Sequence, residues 1–293
     1  MRKFGGLLFI LTLISCNTSP SPPSRDSPEN NQEINFIASR GKNYWKSVAS
    51  AKYIVVVNNS ELAADNAKRN EYYEYNVHIN KPLKGNAQEN IRFKVYMREN
   101  FYNYINSLDK SGKAILFIAS SYDGYGINNY LADYYIENAI LTHTEDAEEV
   151  IRNEIALQDK IINDKLYRNF TFDNKLYRKV NNYIRNTTCF LFQFSSFRKL
   201  EAMGENAVPY IILLMDNFKK LPIKSISLIN KSENAFEGIR HYSPELVIDA
   251  LSAILNQITG ESFGNIVNGE VTQEERILDL NGWRVYLYKI YHN

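Results

Sequence analysis

Apolar residues follow three different rhythms along this chain, and each rhythm predicts a different kind of segment. Phe4–Ile14 is a nearly unbroken apolar run behind Arg2 and Lys3. It is too short to span a hydrocarbon core, which takes roughly 20 residues. A positive start, a short apolar stretch and the small Ser15 make a secretory leader over 1–15. From Asn17 to Glu33 the chain is rich in Pro, Ser and Asn and has no apolar period. Such a segment cannot repay the entropy of folding. Residues 16–40 are therefore expected to be a disordered tether. At about 3.1 Å per residue its Pro-rich part reaches on the order of 50 Å.

From 41 to 143 the pattern predicts strands. Lys52–Asn58 is a β-branched run, as in a buried strand, after a short helix over 43–51. Residues 71–80 and 91–96 alternate polar and apolar, the period of a half-buried strand. Lys81-Pro-Leu-Lys-Gly85 reads as a turn, 101–108 as a short helix, and Ala114–Ala119 as a core strand. At least one more strand is expected over 130–141. Strands at this spacing argue for an antiparallel sheet or small barrel. Asp123-Gly-Tyr-Gly-Ile-Asn-Asn129 contains Gly-x-Gly, but a dinucleotide loop needs a third glycine and a following helix. It reads as a strand connection.

From 144 onward the period becomes helical. Thr142-x-x-Glu145 suggests a capping box ahead of a helix running to Leu166, and a second helix is expected over 174–185. Gly204 can end a helix and Pro209 can open the next. Ser243-Pro-Glu245 reads as another start, with Leu246 to Ile258 as its buried stripe. The expected fold class is α+β: a barrel-like domain over 41–143, then a helical domain over 144–293.

Composition narrows the function. The chain is 44% hydrophobic and 23% charged, enough for a normal core. A net charge of +1 gives no case for nucleic acid. The 21 tyrosines suit either an AT-rich coding sequence or an aromatic recognition surface. There are two cysteines, Cys16 and Cys189. Cys189 sits in Cys-Phe-Leu-Phe192, an apolar setting that suggests a buried free thiol.

Three resemblances add to this. Leu13-Ile14-Ser15-Cys16 resembles the bacterial lipobox. In that family the cysteine is acylated on sulfur, becomes residue one after cleavage, and is usually acylated again on its amine. The resemblance implies lipidation of Cys16, including palmitate. Asn17, where retained lipoproteins tend to have Asp, leans toward the outer membrane, facing the periplasm. Residues 45–143 resemble a netrin/TIMP-like or OB-like barrel domain through Ala51–Val57, Val77–Gly85 and Ser111–Ile118. Residues 195–290 resemble a HEAT-like helical repeat, through Leu200, Met203, Gly204, Ala207–Pro209, Ile212 and Leu213, and through Thr259-Gly-Glu-Ser-Phe-Gly264 with Gly282-Trp283.

One stretch looks catalytic. Gly260-Glu-Ser-Phe-Gly264 matches the nucleophile elbow, and Asp279 and His292 follow in the order Ser, Asp, His. A serine hydrolase built on Ser262 is the enzyme alternative. An elbow joins a strand to a helix, whereas Ser262 follows a helical pattern. The same residues are accounted for by the repeat ending, where Phe263 packs and the glycines turn. His78, His143 and His241 are scattered, and no ligand spacing suggests zinc. No cofactor or metal is expected. The layout points to a lipid-anchored, non-catalytic binding or scaffold module with a protein partner. An immunity protein against an envelope-targeting toxin is a further alternative.

Overall fold

Four consecutive apolar residues, Ile54 to Val57, are all buried because their strand lies inside the sheet, between two neighbours, and is covered on both faces. Ile54 and Val56 join Ile115 and Phe117 on one face; Val55 and Val57 join Leu116 and Ile118 on the other. A two-sided burial of this kind explains an unbroken apolar run where a half-exposed strand would alternate. The computed structural model describes residues 44–62, 67–69, 72–96, 99–122, 127–132, 139–229, 239–264 and 271–291. All of them lie in one compact unit, Arg40–Asn293. The leader, the tether and Cys16 lie outside the described residues.

The strands are β1 (Tyr53–Asn58), β2 (Ala67–Arg69), β3 (Tyr72–His78), β4 (Lys81–Lys84), β5 (Asn90–Tyr96), β6 (Lys113–Tyr122), β7 (Ile127–Leu131) and β8 (Ile140–Thr142). They form one sheet in the order β2-β3-β5-β7-β6-β1-β4, with β8 added to β6. The fold is α+β, as expected, but the sheet corrects the barrel expectation. It is open: its path ends on β2 and on β4, which do not pair with each other among the described residues. It is also mixed, because β5 runs parallel to β7 through the Lys94↔Tyr130 pair. The physical reason lies at the ends. β2 has three residues, and β4 is the supposed turn, Lys-Pro-Leu-Lys, paired to β1. Pro82 has no N–H to give and suits an edge strand. Short, Lys- and Pro-bearing edges resist further pairing.

Helices cover the sheet. Leu62 of the single turn α2 (Asn59–Leu62) and Ile105 of α3 (Glu99–Ser107) pack in the core with Val55 and Leu116. On the opposite face lie α1 (Tyr44–Ser50) and α4 (Glu145–Asn163), through Val48, Ala147 and Ile151. Thr144, not Thr142, caps α4, its hydroxyl accepting from the Ala147 N–H at 3.1 Å. Thr142 is spent as the last residue of β8. Glu148 stitches α4 to the sheet. Lys81 of β4 (2.5 Å), Arg152 (2.7 Å) and His143 (3.0 Å) converge on it. Those bonds hold its carboxyl down to about 2.

The remaining helices are α5 (Asn174–Asn186), α6 (Gln193–Ala202), α7 (Val208–Leu214), α8 (Val247–Thr259) and α9 (Gln273–Tyr291). Between α7 and α8 runs a two-stranded hairpin, β9 (Ile226–Ile229) with β10 (Ile239–Tyr242). These elements share one core, with Phe197, Leu251 and Trp283 among its most deeply buried side chains. Trp45 and Ala49 of α1 belong to that core, while Val48 belongs to the sheet's. The first helix therefore joins the two halves. Ser243-Pro-Glu245 does not start α8, which begins at Val247. Residues 245–247 instead bond to 219–221, with Leu221 N–H to Glu245 O and Val247 N–H to Lys219 O, both 2.9 Å.

Candidate functional site

The loop after α8 is built around Phe263. Gly260, at φ 75°, takes the left-handed conformation that closes α8 and turns the chain. Phe263 then buries itself against Trp283 (ring centroids 5.0 Å, edge-on) and stacks on Trp45 at 5.9 Å. Lys46 of α1 reaches Glu261 at 2.5 Å. The elbow-like Gly-x-Ser-x-Gly thus joins a helix to a loop, its phenylalanine a core residue. Ser262 is exposed, and its hydroxyl donates to the Gly264 carbonyl at 2.9 Å. Asp279 sits on α9, buried, against Gly264. His292 lies outside the described residues. Of the sequence-derived trio, then, Ser262 and Asp279 are placed in one region, one facing solvent and the other the core.

Asp279 belongs to a buried polar node that the sequence reading did not find. Arg276, one turn earlier on α9, grips Asp249 of α8 with two bonds, Nε to Oδ1 at 2.7 Å and Nη2 to Oδ2 at 3.1 Å. Asp249 also accepts the N–H groups of Glu245 (3.1 Å) and Leu246 (2.9 Å) at the helix start. The Trp283 indole donates to Ser252 Oγ at 2.9 Å. Ser252 and Trp283 favour the charged form of Asp279, but burial outweighs them and Asp249 adds repulsion. The Asp279 carboxyl is pushed up to about 7. Its Oδ1 has no hydrogen-bond partner, nor does Glu275 Oε1. Both residues line a cavity of about 20 Å³ between Ser50, Ser120 and α9. That volume suits about one water-sized group. Chemically the node can hold a proton near neutrality and bond a small polar group.

A second perturbed group, Lys84, is half-buried at the sheet edge and donates to the Val48 carbonyl. Desolvation of its ammonium brings it down to about 8, with Asp159 acting the other way. It ties β4 to α1. Among the described residues no cluster of three or more His, Cys, Asp or Glu could hold a metal ion.

Two surfaces carry large apolar side chains in solvent. On the hairpin, Ile229 and Ile239 are cross-strand partners, 63% and 49% exposed. At the α5–α6 turn, Phe190, Leu191, Phe192 and Phe194 project outward. The second corrects the expectation of a buried thiol at Cys189. Cys189 is free but only half-buried, and the residues after it face solvent. A short apolar run has no period, so the sequence alone does not tell a buried turn from an exposed one. No helix among the described residues is long and apolar enough to cross a membrane. No family model, curated protein or solved structure matches the chain.

Proposed function

We propose that this chain is a lipid-anchored cell-envelope protein. In this reading Cys16 carries the lipid at the outer membrane, and the compact unit acts in the periplasm as a non-catalytic binding or scaffold module for another protein. The lipobox-like Leu13–Cys16 and the polar stretch after it support the anchor. The observation that carries the binding role is the Ile229–Ile239 pair. Its strands bury Ile226 and Leu228 beneath them, yet place two isoleucines directly opposite each other on the solvent face. Apolar cross-strand pairs stabilise a sheet only modestly. Left in water they fit better as one half of an interface.

We also read α6 and α7 as a HEAT-like pair. Gly204, at φ 59°, breaks the chain between them, Pro209 lies in the first turn of α7, and Leu200, Val208 and Ile212 meet in one core. Repeats of this kind hold partners along exposed helix surfaces.

A photo-crosslinker at Ile239 of the full chain, activated in intact cells, tests the reading. The expected result is a discrete protein adduct that disappears when Ile229→Asp is added. Absence of any adduct, together with Ser262-dependent labelling by a fluorophosphonate, would overturn it in favour of a hydrolase.

A further inference from the structure

The turn between α5 and α6, with the start of α6, leaves four large apolar side chains in water. Phe190, Leu191, Phe192 and Phe194 are 66%, 81%, 54% and 48% exposed. Single exposed apolar residues are ordinary, but a contiguous group marks a surface that something else covers. The base beneath them is fixed. Thr187 and Gln193 are both fully buried. Thr187 Oγ1 donates to the Ile184 carbonyl at 2.6 Å. Gln193 clasps the backbone of Ile223, donating to its carbonyl at 2.6 Å and accepting its N–H at 3.1 Å. Buried polar side chains therefore secure a turn that holds its phenylalanines outward.

Charge around the tip selects the partner. Residues 174–200 contain no Asp or Glu. Lys175, Arg178, Lys179, Arg185, Arg198 and Lys199 lie in that span, and all are exposed. Arg178 and Arg185 are two turns apart on one face of α5, a separation of about 10 Å. The whole chain carries a net charge of only +1, so this is a local concentration of cations. An apolar tip whose own flanking segments, 174–186 and 195–200, carry only positive charges matches a surface that is apolar within and anionic at its rim. That is the chemistry of a bilayer with acidic headgroups.

We propose that the α5–α6 tip inserts Phe190, Leu191, Phe192 and Phe194 into the interface of an anionic bilayer, with the flanking cations on its headgroups. The contact does not depend on a lipid at Cys16. It provides a second attachment and fixes which side of the compact unit faces the membrane.

The test uses the full-length chain with Leu191→Trp. The native tryptophans, Trp45 and Trp283, are both buried, so the wild-type emission can be subtracted. On phosphatidylglycerol vesicles with brominated acyl chains, the introduced indole should shift to the blue and lose at least half its emission. On phosphatidylcholine vesicles the quenching should be several-fold weaker. Arg178→Gln with Arg185→Gln should lower the inserted fraction, each cation being worth about fivefold at roughly 1 kcal/mol. Because the readout is local to the tip, attachment through the N-terminus cannot mimic it. A correctly folded chain that binds the vesicles while its indole emits as in buffer overturns the proposal. Equal quenching on both lipids overturns its electrostatic half. Shielding of the indole only when an envelope protein is added would make the tip a protein-docking surface and would also overturn it.

Discussion

Phe263 lies so close against Gly282 that a Cβ at position 282 would fall 2.3 Å from Phe263 Cβ and 2.6 Å from its Cγ. Gly282 is inside α9, where glycine costs about 1 kcal/mol relative to alanine. Helix propensity alone therefore favours Gly282→Ala. The contact reverses that sign, because Phe263 is wedged against Trp283 and cannot retreat without opening the core. Overpacking of this kind costs about 1–3 kcal/mol. Urea unfolding of Gly282→Ala should show a lower midpoint than wild type; a raised midpoint would contradict the packing.

Asp279 makes stability depend on pH. Its carboxyl titrates at about 7 in the folded state, against an ordinary 3.8. The folded chain keeps this proton where the unfolded chain has released it. The contribution of Asp279 to stability is therefore greatest below pH 4, falls as pH rises from about 4 to about 7, and is level above. The contribution is on the order of 4 kcal/mol at most, at 1.36 kcal/mol per unit. Asp279→Asn cannot ionise, so wild type should lose more stability than the variant between pH 5 and pH 8. Parallel pH profiles for the two proteins would show that Asp279 is charged in the fold.

Arg276 and Asp249 should behave as a unit. Arg276 is 10% and Asp249 1% exposed at the side chain, so the pair is desolvated. Removing one partner strands a buried charge, at a cost of about 3–5 kcal/mol. Arg276→Met alone should therefore be strongly destabilising. Arg276→Met with Asp249→Leu should cost clearly less than the sum of the single changes, although the two N–H groups capped by Asp249 lose their acceptor. Additive costs in thermal unfolding would contradict the coupling.

Local signals made much of this fold legible. The β-branched run of β1, the alternation of β3 and β5, and the turn residues Gly204 and Pro209 each describe a backbone preference that tertiary contacts then use. What escaped was tertiary in origin. An open sheet and a closed barrel share the same strand patterns and differ in whether β2 meets β4. β4 itself was hidden because Pro82 looks like turn chemistry. Two misses had local signals. Thr272 and Glu275 form a capping box at the start of α9, the Glu275 carboxylate accepting the Thr272 N–H at 2.9 Å. Residues 226–229 alternate buried and exposed in β9. The Asp249–Arg276–Asp279 node had no such signal, since residues 27 and 30 positions apart come together only when α8 packs on α9.

Cys16 carries the central claim that this protein acts from a lipid anchor. Cells fed labelled palmitate and expressing the full chain or its Cys16→Ser variant provide the direct measurement. The account predicts that the wild-type protein takes up label and sediments with membranes, and that Cys16→Ser takes up none. A Cys16→Ser protein that incorporates palmitate at the wild-type level would contradict it, as would a wild-type protein that incorporates none.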